Sequence, residues 1–268
     1  MRLMPNISLT SKEVEILTMK KVFNYGGEAV ICENENPNTL YKIFTSPNSR
    51  EVIPMTENKE AKITMLHLLK LKNSIYPLST ISMDGTLIGY EMTKAIDYLP
   101  IFIPALTREE TIHMLREAKN TLEYFASKDI TYGDVKNDNL LVNPKTGEII
   151  FCDMDNVRLG TREIDIASYE LEWFLQCYGK TDEKADAYMH NLLTLEMLNY
   201  PNIARYQYII ELMRCGETPT GYNLLAHDTL KSMLYPQNFD GKYIIENLIG
   251  DDKDEEPTQY KHRFKKSK

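Results

Sequence analysis

Cysteine, glycine and tryptophan are all scarce in this chain of 268 residues, with four, twelve and one copies. Cys32, Cys152, Cys177 and Cys215 are far apart and form no CxxC pair, so neither a zinc site nor a disulfide framework is expected. Positive charge is also in deficit. The formal net charge of −8 argues against non-specific binding to nucleic acid or to an anionic membrane, since an acidic surface repels polyanions. Long apolar runs are missing too. The longest, "LPIFIPAL", is far too short to span a bilayer, and "MRLMPNISLTSKEVEILTMKK" lacks the uninterrupted apolar core of a signal peptide. The expectation is a soluble, cytoplasmic protein with no nucleic acid or membrane partner. What is present is ordinary for a globular domain: 43% hydrophobic and 26% charged residues, enough to bury a core.

The character of the chain changes along its length. "EILTMKKVFNY", "EAVICEN" and "TLYKIF" are short and β-rich and are broken by "GG" and "ENENPN", which predicts an antiparallel meander. "TENKEAKITMLHLLKLK" predicts a helix with Ile63, Leu66, Leu69 and Leu71 roughly on one face, followed by strands at "LSTIS" and "LIGYEMTKA". From about residue 105 the pattern is helical. Thr107 and Glu110 fit a capping box, and Ile112, Leu115, Ala118, Leu122 and Phe125 form one stripe. A hairpin is then expected at "LLVN", "PKTG" and "EIIFCD", and after it helices at "DIASYELEWFLQCY", "ADAYMHNLLTLEMLN", "IARYQYIIELMR" and "YNLLAHDTLKSML". This gives an α+β chain divided into a β-rich lobe over residues 1–93, a helical lobe over 94–250, and a charged tail over 251–268 that is expected to be disordered.

Between the first long helix and the hairpin stands "YGDVKNDNLLVN" (Tyr132–Asn143), in which Asp134, Lys136 and Asn139 follow at fixed offsets. A solvated turn would also be rich in Asp and Asn, because both bond their own backbone. Further residues fit a common chemistry. Lys42 sits inside the apolar strand "YKIF", where an outward-facing lysine on an edge strand is the bland alternative. Asp153 ends the apolar run of "FCDMDN" and offers a carboxylate at the strand's end; Asp155 is either a further ligand or a turn residue. Magnesium takes hard oxygen ligands, for which Asn139 and Asp153 qualify. "NYGGEAVI" places Gly26 and Gly27 between two strands, although glycine at a turn can simply supply a positive φ.

Together these residues resemble the protein kinase superfamily, from about Asn24 to Asp165, and most closely over Asp134–Asp155. The resemblance implies a bilobal, protein kinase-like fold with ATP and Mg2+ as cofactors. It implies that Lys42 reaches the nucleotide phosphates with Glu60 as its helix partner, Glu57 being the competing choice. It further implies that Asp134 takes the proton of the acceptor hydroxyl, that Lys136 lies near the transferred phosphate, and that Asn139 and Asp153 hold the metal. "YEMTKA" looks like the hinge, where Thr93 and Ala95 would bond the adenine through their backbones with Met92 behind them. The glycine-loop pattern GxGxxGxV is met only as Asn24, Gly26, Ala29 and Ile31, with Gly27 beside them. Asp165 looks like the buried acid opening the large helix of the second lobe.

The departures are specific. Tyr132-Gly133-Asp134 stands where protein kinases have His-Arg-Asp, Asp153-Met154-Asp155 replaces DFG, and the short segment from Asp153 to Asp165 has no APE motif and a single hydroxyl, Thr161. Short segments of this kind and a "GD" loop also occur in aminoglycoside- and choline-phosphotransferase-like enzymes, whereas a lysine two after the Asp marks Ser/Thr protein kinases. The leading expectation is therefore transfer of the γ-phosphate to a protein Ser/Thr hydroxyl, as in divergent bacterial kinase-like proteins. A small-molecule phosphotransferase and a nucleotide-binding pseudokinase are the alternatives. The five histidines are isolated and are read as surface or core residues rather than ligands.

Overall fold

The computed structural model of the chain describes residues 4–102, 106–164, 168–199, 211, 215, 217 and 224–247. These contain eleven strands and six α-helices, a mixed α/β composition. No helix among the described residues is long and apolar enough to cross a membrane. The chain divides into two compact units, Met1–Tyr98 with Ile150–Asn156, and Leu99–Ile149 with Val157–Lys268. The division falls near the expected boundary at 93/94, with one difference: the segment carrying Asp153 belongs to the first unit. The charged tail and most of the helix expected at "IARYQYIIELMR" lie outside the described residues, as does Asp165.

The first unit is built on a six-stranded sheet of β1 (Asn6–Leu9), β2 (Val22–Tyr25), β3 (Ala29–Glu33), β4 (Thr39–Phe44), β5 (Pro77–Met83) and β6 (Thr86–Thr93), in the spatial order β1-β5-β6-β4-β3-β2. The meander β2–β3–β4 is as expected, but two features are not. Residues 11–20 form a helix, α1 (Ser11–Lys20), which takes up the first half of the run "EILTMKKVFNY" that predicts a strand. Its Thr10–Glu13 capping box supplies the N-terminal signal, and its Val14 and Leu17 are buried one turn apart. Ahead of it, β1 adds a parallel edge to β5, with Asn6 opposite Thr80.

Helices cover both faces of this sheet. Val14 and Leu17 of α1 pack with Val30, Cys32, Ile43, Ile81 and Ile88. On the other face Ile63 of α2 (Glu57–Leu69) packs with Ala29, Phe44 and Tyr90. The α2 face differs from expectation by one step: Lys62, Ile63 and Leu66 are buried, whereas Leu69 is exposed. Lys70 takes a left-handed conformation (φ 45°) and ends the helix, and Leu71 is buried beyond it.

In the second unit the paired strands β7 (Leu99–Pro100) and β9 (Leu140–Val142) accompany β8 (Ile130–Thr131) and β11 (Arg158–Leu159), which pair antiparallel. The expected hairpin turn after β9 is closed by Asn143 N–H to Glu148 O at 2.9 Å, and β10 (Ile149–Phe151) follows it, its last two residues belonging to the first unit. The core lies along α3 (Arg108–Ala126), which keeps its predicted cap and stripe, and α5 (Glu183–Asn199). Between them the fully buried His190 bonds Leu115 O through Nε2 at 2.8 Å, and burial pushes its pKa down to about 4. It is a core residue, as the sequence suggested. The helix α4 (Tyr169–Tyr178) adds Phe174 to an aromatic cluster with Tyr178, Tyr188 and Phe239, and α6 (Leu224–Met233) closes the described chain with two 3₁₀ turns.

Candidate functional site

Lys42 lies in the middle of β4 rather than on a sheet edge, opposite Ile31 of β3 and Tyr90 of β6. The period of two along a strand puts it on the same face as Leu40 and Phe44, toward α2. Gly89 lets the β6 backbone lie this close to that of β4, since a Cβ there would collide with Lys42 O and stand 3.1 Å from Ile43 Cα. A buried ammonium of this kind needs anions close by. Two arrive from a distant part of the chain: Lys42 Nζ is ion-paired with Asp153 and donates to Asp155 Oδ1 at 2.6 Å. Tyr90 Oη donates to the same Asp155 oxygen at 2.8 Å.

Burial opposes the lysine's charge, but the Asp155 and Asp153 carboxylates outweigh it and hold its pKa well above the ordinary value. For Asp155, 1% exposed, burial works against ionisation and is overcome by Lys42 and Lys59, which keep the carboxyl well below the usual carboxylate range. Tyr90 is pushed well up by burial and by Asp155, so it remains a donor. Asp153 itself has a left-handed backbone (φ 59°), which Asp tolerates better than most residues. Its side chain keeps about one-third of its surface exposed (33%), so its carboxylate remains reachable from outside the unit's core.

This corrects the expected partner of Lys42. Among the described residues no ion pair joins Lys42 to Glu60, which is exposed on α2. The α2 residue that meets this cluster is Lys59, with Nζ 3.4 Å from Asp155 Oδ2 and 3.0 Å from Glu28 Oε2. Asp155, open in the sequence between ligand and turn residue, is the buried anchor of both lysines. The other residues named for nucleotide contact are spread along the same unit. Asn24 is exposed and accepts from Tyr25 N–H at 2.8 Å. Gly26 and Gly27 form the β2–β3 turn, closed by Gly26 N–H to Ala29 O at 2.8 Å, and neither has a positive φ, so a left-handed turn does not explain them. Ala29 is buried in the α2-facing cluster. Thr93 ends β6 opposite Thr39, and Ala95 follows Lys94, whose N–H bonds Asn38 O at 2.8 Å.

The remaining named residues form a second cluster, in the second unit. Asp134 is buried at 3% exposure. Its Oδ2 accepts from Lys136 Nζ and from Asn139 Nδ2, both at 2.7 Å, and Asn139 Nδ2 also reaches Asp134 O at 3.1 Å. Its Oδ1 is buried with no hydrogen-bond partner among the described residues. Buried carboxylate oxygens are seldom left so, and this one is a vacant acceptor.

The loop is held from below by Asp186 near the start of α5, whose carboxylate accepts Tyr132 N–H at 3.0 Å and Gly133 N–H at 2.6 Å. Burial pushes Asp186 up to about 7, against those two amides and the nearby Arg158. Asp186 is thus a buried acid near a helix start that anchors the loop; the buried acid implied by the resemblance, Asp165, lies outside the described residues. A polar residue on the buried face of an apolar helix, "ADAYMHN", was the signal available for Asp186. Arg158 secures the segment after Asp153 by bonds to Thr131 Oγ1, Gly160 O and Asp129 Oδ1 at 3.1, 2.8 and 3.0 Å.

Gly133 is required here on two counts. Its φ is +77°, and a Cβ would collide with Ile164 Cδ1 and lie 3.2 Å from Leu171 Cδ2. Gly133→Ala is expected to cost about 2–4 kcal/mol through the left-handed strain and the overpacking together. Urea unfolding checks this, and a loss under about 0.5 kcal/mol would contradict the packing described.

Among the described residues no group of three or more His, Cys, Asp or Glu could hold a metal alone. Comparison with protein-family models gives no match, and comparison with curated proteins gives none either.

Proposed function

We propose that the chain is an ATP-dependent phosphotransferase of the bilobal, protein kinase-like fold, acting with Mg2+ on a hydroxyl acceptor. The observation that carries this reading is the pairing of Lys42 with Asp153 across 111 residues of sequence. The resemblance implies a phosphate-directed role for Lys42 and a metal-directed one for Asp153, and the two side chains share one ion pair although they stand far apart in the chain. The donors fit the metal as well. Magnesium usually takes one or two protein carboxylates and completes its shell with water and phosphate oxygens, so a partly exposed Asp153 without a dedicated cage suits it. Asn139 would contribute its carbonyl oxygen, since its amide nitrogen is occupied by Asp134.

The chain's own residues divide the work. Lys42, held charged, binds phosphate oxygens and stabilises charge that builds on them in the transition state. Asp134 is fixed through Oδ2, and its vacant Oδ1 orients the acceptor hydroxyl and receives its proton. Lys136, 2.7 Å from Asp134 and 39% exposed, is the cation of this loop that would meet the transferred phosphate. With Mg2+ bound, the metal would neutralise negative charge on the phosphates.

A second reading of the acceptor is favoured by one observation. The segment from Val157 folds back tightly, with Arg158 and Leu159 paired to β8 and Leu159 bridged to Arg162. That leaves little extended backbone on which a peptide could lie, which favours a small hydroxyl substrate over a protein.

Incubation of the pure protein with labelled ATP and magnesium, alone and with generic protein substrates, tests both. Label on protein supports Ser/Thr transfer, slow turnover without labelled protein points to a small acceptor, and absence of any turnover with either class counts against the enzyme. Because Gly133 and Ile164 fill the place where an arginine would receive a regulatory phosphate, protein made without phosphate on Thr161 should be as active as phosphorylated protein.

A further inference from the structure

In the first unit two ammonium groups share one buried carboxylate: Lys42 takes Asp155 Oδ1 at 2.6 Å and Lys59 approaches Oδ2 at 3.4 Å. Asp155 is enclosed and cannot leave without exposing both cations to a dry environment, so it is the permanent partner. The other two anions of the cluster differ in kind. Glu28, 3.0 Å from Lys59, has a side chain 56% exposed, and Asp153, on Lys42, is 33% exposed. Exposed pairs are weak, being screened by water, and they exchange readily.

Lys59 is itself enclosed (13% exposed), with its ammonium 4.6 Å from the Phe44 ring centre. Burial opposes its charge, but Asp155 and Glu28 together raise its pKa above the ordinary value, so it is a fixed cation. Glu28 stands directly after Gly26 and Gly27, so the replaceable partner of Lys59 sits on the glycine turn.

We propose that Lys59 is a second phosphate-binding cation beside Lys42, with Asp155 holding both in place and Glu28 occupying the position of a phosphate oxygen until a polyphosphate displaces it. The inference deepens the phosphotransferase reading and rests on it for the identity of the ligand as a nucleoside triphosphate. The cation pair itself requires only a polyphosphate. When phosphate oxygens take over Lys42 and Lys59, Glu28 returns to water and Asp153 is released to bind a divalent metal. The α2 helix thereby contributes a cation to the phosphates directly, where a glutamate would act only through Lys42.

The test is calorimetric titration of the full chain with inorganic triphosphate, ATP and adenosine, each with and without magnesium. Lys59→Met keeps the apolar stem and removes the charge. It is expected to weaken triphosphate and ATP about tenfold or more while adenosine binding stays at the parental value. Lys59→Arg is expected to retain most of the affinity. Glu28→Gln removes the competing anion and is expected to tighten triphosphate by about threefold.

Parental triphosphate affinity in Lys59→Met, an equal loss for adenosine, or weaker triphosphate binding in Glu28→Gln would each overturn the proposal. Should Lys59→Met fail to fold, the opposite changes expected of Glu28→Gln and the retention in Lys59→Arg still decide it. A parent that binds triphosphate through Lys59 but transfers no phosphate would sink the phosphotransferase reading and leave the cation pair standing.

Discussion

Asp134→Asn should lower kcat by about 10²–10⁴ and leave nucleotide affinity almost unchanged, because the loss is of a positioned base rather than of a phosphate contact. The geometry makes this variant unusually clean. Asparagine is nearly isosteric, and the loop's position is set by Asp186 through the amides of Tyr132 and Gly133, not by the Asp134 carboxylate. Lys136 and Asn139 both donate to Asp134 Oδ2, so an amide rotamer that keeps oxygen on that side preserves both bonds and places its NH₂ at the vacant Oδ1 position. There it offers a donor where the acceptor hydroxyl needs an acceptor. Turnover with a verified acceptor, measured beside calorimetric ATP affinity, checks the expectation. Parental turnover in Asp134→Asn would end the case for this mechanism.

Lys42→Met should abolish turnover and, separately, destabilise the protein by about 2–4 kcal/mol. The reason for the second effect is the charge it leaves behind. Asp155 is buried, and removal of one partner of a buried ion pair typically costs about 3–5 kcal/mol. Lys59 at 3.4 Å and the Tyr90 hydroxyl soften that loss without replacing the 2.6 Å contact. Asp155→Asn added to Lys42→Met should therefore recover much of the stability and none of the activity.

The sign with pH follows from the direction of the Asp155 shift. In the parent its carboxyl is held below the usual range, so its stabilising contribution is present above the unfolded value and is lost as pH falls through the folded one. Without Lys42, burial acts with less opposition and that acid-side loss should begin at higher pH. Thermal unfolding of the three proteins between pH 4 and 7 measures this. Equal stability of parent and Lys42→Met would show that Asp155 is not held by this lysine.

What the sequence determined by itself was local or carried by residue type. The Thr107–Glu110 cap and the apolar stripe of α3 were legible because both repeat within one or two helical turns. The hairpin after Asn143 and the alternation of β3 with β4 were legible for the same reason, as were the identities of Lys42, Asp134, Lys136, Asn139 and Asp153 as candidates. The α1 helix was not, since a short apolar run reads equally well at either period, and its capping box had to compete with β-branched and aromatic neighbours.

Tertiary structure alone decided which charges meet. Lys42 chose Asp155 across 113 residues over Glu60, 18 positions away in the chain, because Glu60 lies on the solvent side of α2 while the turn after β10 enters the face that Lys42 occupies. Lys59 and Lys62 were unremarkable in a charged helix, and only packing against the sheet turned them inward. Asp186 acquired its role from amides 53 and 54 residues away. Burial and ion pairing depend on distance through space, and chain separation carries no record of it.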